Sequence, residues 1–99
     1  MISPRHPGGI LRLRFLEPMN ISAQQLAVAL NVSPASVSRL LSGKAALSSE
    51  MAVRLAHVLG GSPADWMGMQ SAYDISKAKK SVDTDQLQVL RAARSWRRT

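Results

Sequence analysis

The chain has 99 residues, enough for one domain with a single hydrophobic core and no covalent staples. It contains no cysteine, which excludes disulfides and thiolate metal sites and fits a reducing compartment. Its formal net charge of +7 points to a polyanionic partner, and most of that excess falls in residues 77–99, where Lys77, Lys79, Lys80, Arg91, Arg94, Arg97 and Arg98 face only Asp83 and Asp85.

Strand signals are nearly absent, and Pro, Gly and Ser punctuate the chain at short intervals, so an all-α domain of short helices is expected. The first helix is predicted over 7–17. Pro7 suits its first turn, Ile10, Leu11, Phe15 and Leu16 supply an apolar face, and Pro18 stops it. The second is predicted over 23–30, with Ser22 and Gln25 as a capping box, Leu26, Ala27 and Leu30 as the stripe, and Asn31 as a left-handed end. The third covers 34–42, capped by Ser33, with Pro34 in the first turn, Val37, Leu40 and Leu41 inward, and Gly43 ending it.

The fourth helix is predicted over 49–59, capped by Ser48 or Ser49, with Glu50 near its positive end and Met51, Leu55, Val58 and Leu59 toward the core. The fifth, over 63–79, starts at a Ser62/Asp65 box and carries Trp66, Met69 and Tyr73. Residues 1–80 then form the folded domain and 81–99 a basic segment. That segment is either a sixth helix over 85–97 or a flexible tail, and the sequence leaves both open.

No apolar run approaches the ~20 residues of a membrane span. The stretch MISPRHPGG lacks a hydrophobic signal core, so a cytoplasmic protein without a membrane partner is expected. His6 and His57 lie far apart and read as surface or half-buried side chains, so no metal is expected. The acidic residues show no acid–base or metal-ligand spacing, no serine has a histidine beside it in a recognisable pattern, and no Gly-rich phosphate loop follows a strand. Neither an enzyme nor a cofactor is expected.

Only Asn-Val-Ser separates the second and third helices, which is the spacing of a helix-turn-helix. Ala27 and Ala29 would let the two helices approach closely, with Val32 at the corner. With Val37, Leu40 and Leu41 inward, Pro34, Ala35, Ser36, Ser38, Arg39 and Ser42 are left outside. In this motif the second helix enters the major groove, where small side chains let the backbone approach the bases. Arg39 is the one long donor, able to bond guanine bidentately, and serine hydroxyls reach bases or phosphates.

The stretch LAVALNVSPASVSRLLSGKAALSSEMAVRLAHVLGGSPADWMGMQSAYDI resembles the Xre/Cro-type helix-turn-helix domains with a lambda-repressor-like fold. Together with HPGGILRLRFLEPMNIS before it, the chain is similar to the HigA-type antitoxins over residues 7 to about 75. The resemblance implies five helices, a homodimer on a palindromic DNA operator, repression of its own toxin–antitoxin operon, and neutralisation of an RNA-cleaving HigB-type toxin. Carried over by position, DNA contacts fall on Ser33, Pro34, Ala35, Ser36, Ser38 and Arg39, with Lys44 on the phosphate backbone, while the phosphate contact that relatives make at position 23 is missing or is taken over by Ser22 or Gln24. Trp66, Gln70, Tyr73 and Asp74 match a motif that packs the fifth helix.

The chain departs from the family pattern at Gly9, where an acidic residue is usual, and at Ala23, where many relatives carry a phosphate-contacting Gln. Dimer or toxin contact is expected at Trp66 and Tyr73 of the fifth helix, beside their packing role, and in the tail at Leu87, Leu90 and Trp96, whose apolar side chains would be wasted on a purely electrostatic arm. Two other readings stay open: a stand-alone Xre-type transcriptional regulator without a toxin, and an interaction module with a vestigial helix-turn-helix.

Overall fold

The computed structural model describes residues 5–90. Its described residues form five helices and one short 3₁₀ turn, with no strand among them. The first helix, α1, is continuous from Pro7 to Met19 but changes pitch twice. An α-helical turn over Pro7–Leu11 gives way to a π-helical turn over Arg12–Leu16, then to a last α-helical turn over Glu17–Met19. Pro18 was expected to stop this helix and does not. A proline ring clashes with the carbonyl four residues back, here Arg14, and the widened turn removes that carbonyl from its regular place. The helix ends instead at Asn20, which takes the left-handed conformation at φ 56°.

The wide turn also sets the buried face. Leu11 and Leu16, five residues apart, are both in the core, whereas Leu13 between them is exposed. At the other end, His6 caps the helix by accepting the Gly8 N–H on Nδ1 at 2.9 Å.

Helix α2 spans Ala23–Leu30 and α3 spans Pro34–Leu41. The Ser22/Gln25 capping box forms in full, and Asn31 takes the left-handed position at φ 57°, as expected. Ala27 is buried between the helices, but Ala29, expected beside it, is exposed. The buried stripe is centred on Leu26 and Leu30, and Ala29 lies around the cylinder from it. Leu41, expected inward with Val37 and Leu40, is half-buried at the edge of the core.

Helix α4 spans Ser49–Leu59 and is capped by Ser48. Ala52 and Leu55 are its buried residues, while Val58, expected in the core, is exposed. Ala52 sits nearer the centre of the stripe than Val58, so position on the cylinder outweighs side-chain size. Helix α5 spans Pro63–Ser81 and starts with the complete Ser62/Asp65 capping box. It packs on α4 and on α1.

The core joins Leu11 and Leu16 of α1 with Leu26, Ala27 and Leu30 of α2, Val37 and Leu40 of α3, Leu47 of the following loop, Ala52 and Leu55 of α4, and Trp66 of α5. Beyond α5, Thr84–Gln86 form a single 3₁₀ turn. Residues 87–90 are not helical, so the described part of the proposed 85–97 helix does not form one, and 91–97 lie outside the described residues. No helix among the described residues is long and apolar enough to cross a membrane.

Candidate nucleic-acid interface

Helix α3 is the outward member of the pair. Val37 and Leu40 seal one side of it, leaving Ser33, Pro34, Ala35, Ser38, Arg39 and Ser42 exposed and Ser36 half-buried. The serines are not equivalent. The Ser33 hydroxyl accepts the Ser36 N–H at 3.1 Å and lies 2.9 Å from the Ser36 hydroxyl, so both are engaged in capping. The Ser42 hydroxyl donates to the Arg39 carbonyl at 3.2 Å. Ser38 and Arg39 are the side chains of this face with no intramolecular hydrogen bond among the described residues. Ser22, at the start of α2, accepts the Gln25 N–H at 3.0 Å and keeps its own O–H to donate outward. Because the Ser33 cap orders the tip of α3, Ser33→Ala is expected to lower stability by ~1 kcal/mol in chemical denaturation.

Two long-range clamps fix this face, and neither was foreseen. Arg54 of α4 donates to the carbonyls of Leu30 at 2.7 Å and Asn31 at 3.3 Å, and pairs with Glu50 at 2.8 Å. It thereby satisfies the open carbonyl end of α2 at the turn. The i,i+4 spacing of Glu50 and Arg54 is visible in the sequence, but the carbonyls that Arg54 reaches are not.

The second clamp holds the loop after α3. Gly43 turns the chain at φ 79°, and the N–H groups of Lys44 and Ala45 both donate to the Arg39 carbonyl, at 2.9 and 3.1 Å. Three residues on, the Leu47 N–H donates to Oε1 of Gln70 at 2.7 Å, and Gln70 Nε2 donates to Asp74 Oδ1 at 2.9 Å. Gln70 is the one buried polar side chain among the described residues. It ties the Lys44 loop to α5.

The residues expected to meet a partner separate in space. Trp66, counted among them, is instead a core residue at 2% exposure. Its indole donates to the Gly60 carbonyl at 2.9 Å and its ring lies 5.4 Å from that of Phe15, so it closes the corner between α4 and α5. Tyr73 is half-buried, edge-on to His6 at 5.1 Å, with the Lys77 ammonium 5.3 Å from its ring centre. Leu87 and Leu90 are 61% and 73% exposed. Trp96 lies outside the described residues.

Two short helices joined by a left-handed Asn, the second outward and capped at its tip, make this a helix-turn-helix protein. The HTH_3 family model, described as Helix-turn-helix, matches residues 13–66. The chain belongs to this family, as an Xre-like member of the HigA antitoxin type, a class of regulators and not of enzymes. It is 40% identical over 90 residues to the uncharacterized HTH-type transcriptional regulator YddM of Escherichia coli K12, covering 91% of this chain and 95% of that one. It is 39% identical to antitoxin HigA-1 of Vibrio cholerae over 73% of this chain and 68% of the relative. Among solved structures, antitoxin GraA superposes with a TM-score of 0.84 at 34% identity, covering 91% of this chain and all of the other. Pseudomonas aeruginosa antitoxin HigA with the higBA promoter superposes with a TM-score of 0.79 at 35% identity, over 88% and 99% of the two chains.

Proposed function

We propose that this protein is a sequence-specific DNA-binding repressor, the antitoxin of a HigB/HigA-type module that autoregulates its operon and neutralises an RNA-cleaving toxin. The observation that carries the reading is the outward face of α3, where Ser38 and Arg39 are unengaged on a helix whose relatives are solved with promoter DNA. In this reading Arg39 reads a guanine, Ser38 reaches a base or phosphate, and Pro34 and Ala35 offer apolar contact while bringing the backbone close. Ser22 and Lys44 hold the phosphate backbone, and Ser33 and Ser36 act mainly through the cap.

One such helix reads only a few base pairs. A homodimer placing two copies ~34 Å apart on a palindromic operator follows. Tyr73, Leu87, Leu90 and Trp96 are the candidates for contact with the second copy or with toxin. A cytoplasmic location goes with this role.

The reading is tested by titrating the upstream DNA of its own gene. Arg39→Ala is expected to reduce discrimination at one base pair by ~1–3 kcal/mol. Lys44→Ala should weaken all sequences alike and lower the slope of log K against log salt by about one. An Arg39→Ala protein with unchanged sequence preference would remove α3 from the readout. Co-purification with a small RNase encoded beside the gene separates the antitoxin from a stand-alone regulator.

A further inference from the structure

The exposed cations of the described domain are not evenly placed. The N-terminal end of α1 lies across the C-terminal end of α3. The His6 ring comes within 3.8 Å of where a β-carbon on Gly43 would sit. Gly8 meets the backbone of Leu40 and Leu41. Arg12, one turn further along α1, reaches the Leu41 carbonyl with Nη1 at 3.4 Å. Arg5, Arg12 and Lys44 are therefore gathered around the end of the recognition helix, and all three are exposed. None has a carboxylate in ion-pair range among the described residues, where Arg54–Glu50 is the one ion pair.

We propose that Arg12 is a second phosphate anchor, which together with Lys44 grips the DNA backbone beside the end of α3. The proposal rests on the DNA-binding reading and extends it to a residue outside the helix-turn-helix. The bond to Leu41 is long and uses one of the five guanidinium N–H groups, so a planar pair of donors stays available for two oxygens of one phosphate. The Leu41 carbonyl, the last of α3, takes no backbone N–H among the described residues, and the partial negative charge of that helix end explains why a cation rests there in the free protein. A cation held only to cap that end would be satisfied by the helix. Arg12 shares the site with Lys44, and two unpaired like charges at one helix end call for an anion from outside. Duplex DNA supplies it, because this end of α3 is continuous with the face that carries Ser38 and Arg39.

The test is the salt dependence of operator binding by the full-length protein. Arg12→Gln should lower the slope of log K against log salt by about one, and Arg12→Gln with Lys44→Gln by about two. The loss should be equal for operator and scrambled duplex, because phosphate contacts carry no sequence. Arg12→Lys should restore most of the slope, since it keeps the charge. Thermal melting of each variant without DNA separates a capping role from an anchoring one. A lower melting temperature with the slope unchanged means that Arg12 is only a cap, and overturns the proposal. So does a slope that falls for Arg12→Gln and is not restored by lysine. A wild-type protein that binds neither duplex at low salt overturns the DNA-binding reading and the anchor with it. Operator binding with equal slopes in wild type and Arg12→Gln overturns the anchor alone.

Discussion

Replacing Gly8 by alanine is expected to cost ~3 kcal/mol or more, at the upper end of what overpacking does. A β-carbon there would overlap the Leu40 carbonyl oxygen and lie 2.8 Å from its carbonyl carbon and 3.0 Å from the Leu41 α-carbon. All three are backbone atoms of α3, so no rotamer change relieves the clash. Either α1 lifts off or α3 shifts, and both open the core around Leu11 and Leu40. Against a typical total of about 5–15 kcal/mol, such a loss is large. Gly9→Ala is the control. It lies in the same turn with nothing within 4 Å of its β-position, and should be neutral or gain up to about 1 kcal/mol of helix propensity. Urea denaturation of the two variants checks the pair. Equal stabilities would mean that α1 and α3 do not cross at Gly8.

Gln70→Ala is expected to cost ~2–4 kcal/mol. It leaves the Leu47 N–H buried without an acceptor, a loss of about 1–3 kcal/mol, and adds a cavity beside the core. The effect reaches function. Leu47 is the inner end of the loop that carries Lys44, so operator affinity should fall even at temperatures where the variant is fully folded. Gln70→Glu sharpens the test. The carboxylate still accepts from Leu47 but faces Asp74, whose oxygen lies 2.9 Å from the present amide nitrogen. Two carboxylates at that separation repel when both are ionised. Gln70→Glu should therefore gain stability, relative to wild type, as pH falls from 7 to 5. A wild-type-like denaturation midpoint for Gln70→Ala would show that the loop is held by other contacts.

The features that were legible in the sequence are those settled within one or two helical turns. The Ser22/Gln25 and Ser62/Asp65 boxes, the Ser33 cap and the left-handed Asn31 each depend on neighbours no more than five residues away, as does the cap of α4, which the sequence left between Ser48 and Ser49. The helix-turn-helix followed from them, because the short turn between two capped helices leaves little choice. Features that join distant elements were not legible. Arg54 reaches back 23 and 24 residues to its carbonyls, Gln70 reaches 23 to Leu47, and Gly8 meets α3 more than 30 residues on. Gln70 had an ordinary local reading as fifth-helix packing, Gly8 stood only within the HPGG stretch, and Arg54 drew no reading at all. Within the site, α3 and its outward residues could be read off the pattern. Their division into capping serines and an unengaged Ser38 needed the hydroxyl geometry.

The widened turn in α1 has the arithmetic of an insertion. Take away one residue at the exposed Leu13, and Leu11 and Leu16 become four apart, still on one face of a regular helix. The core would be kept. What would be lost is the room for Pro18, whose ring would then face a regularly placed carbonyl four residues back. The extra residue thus lets a single helix carry both a continuous apolar face and a proline in its final turn. A chain shortened by one at that point would have to give up the proline or end the helix a turn early.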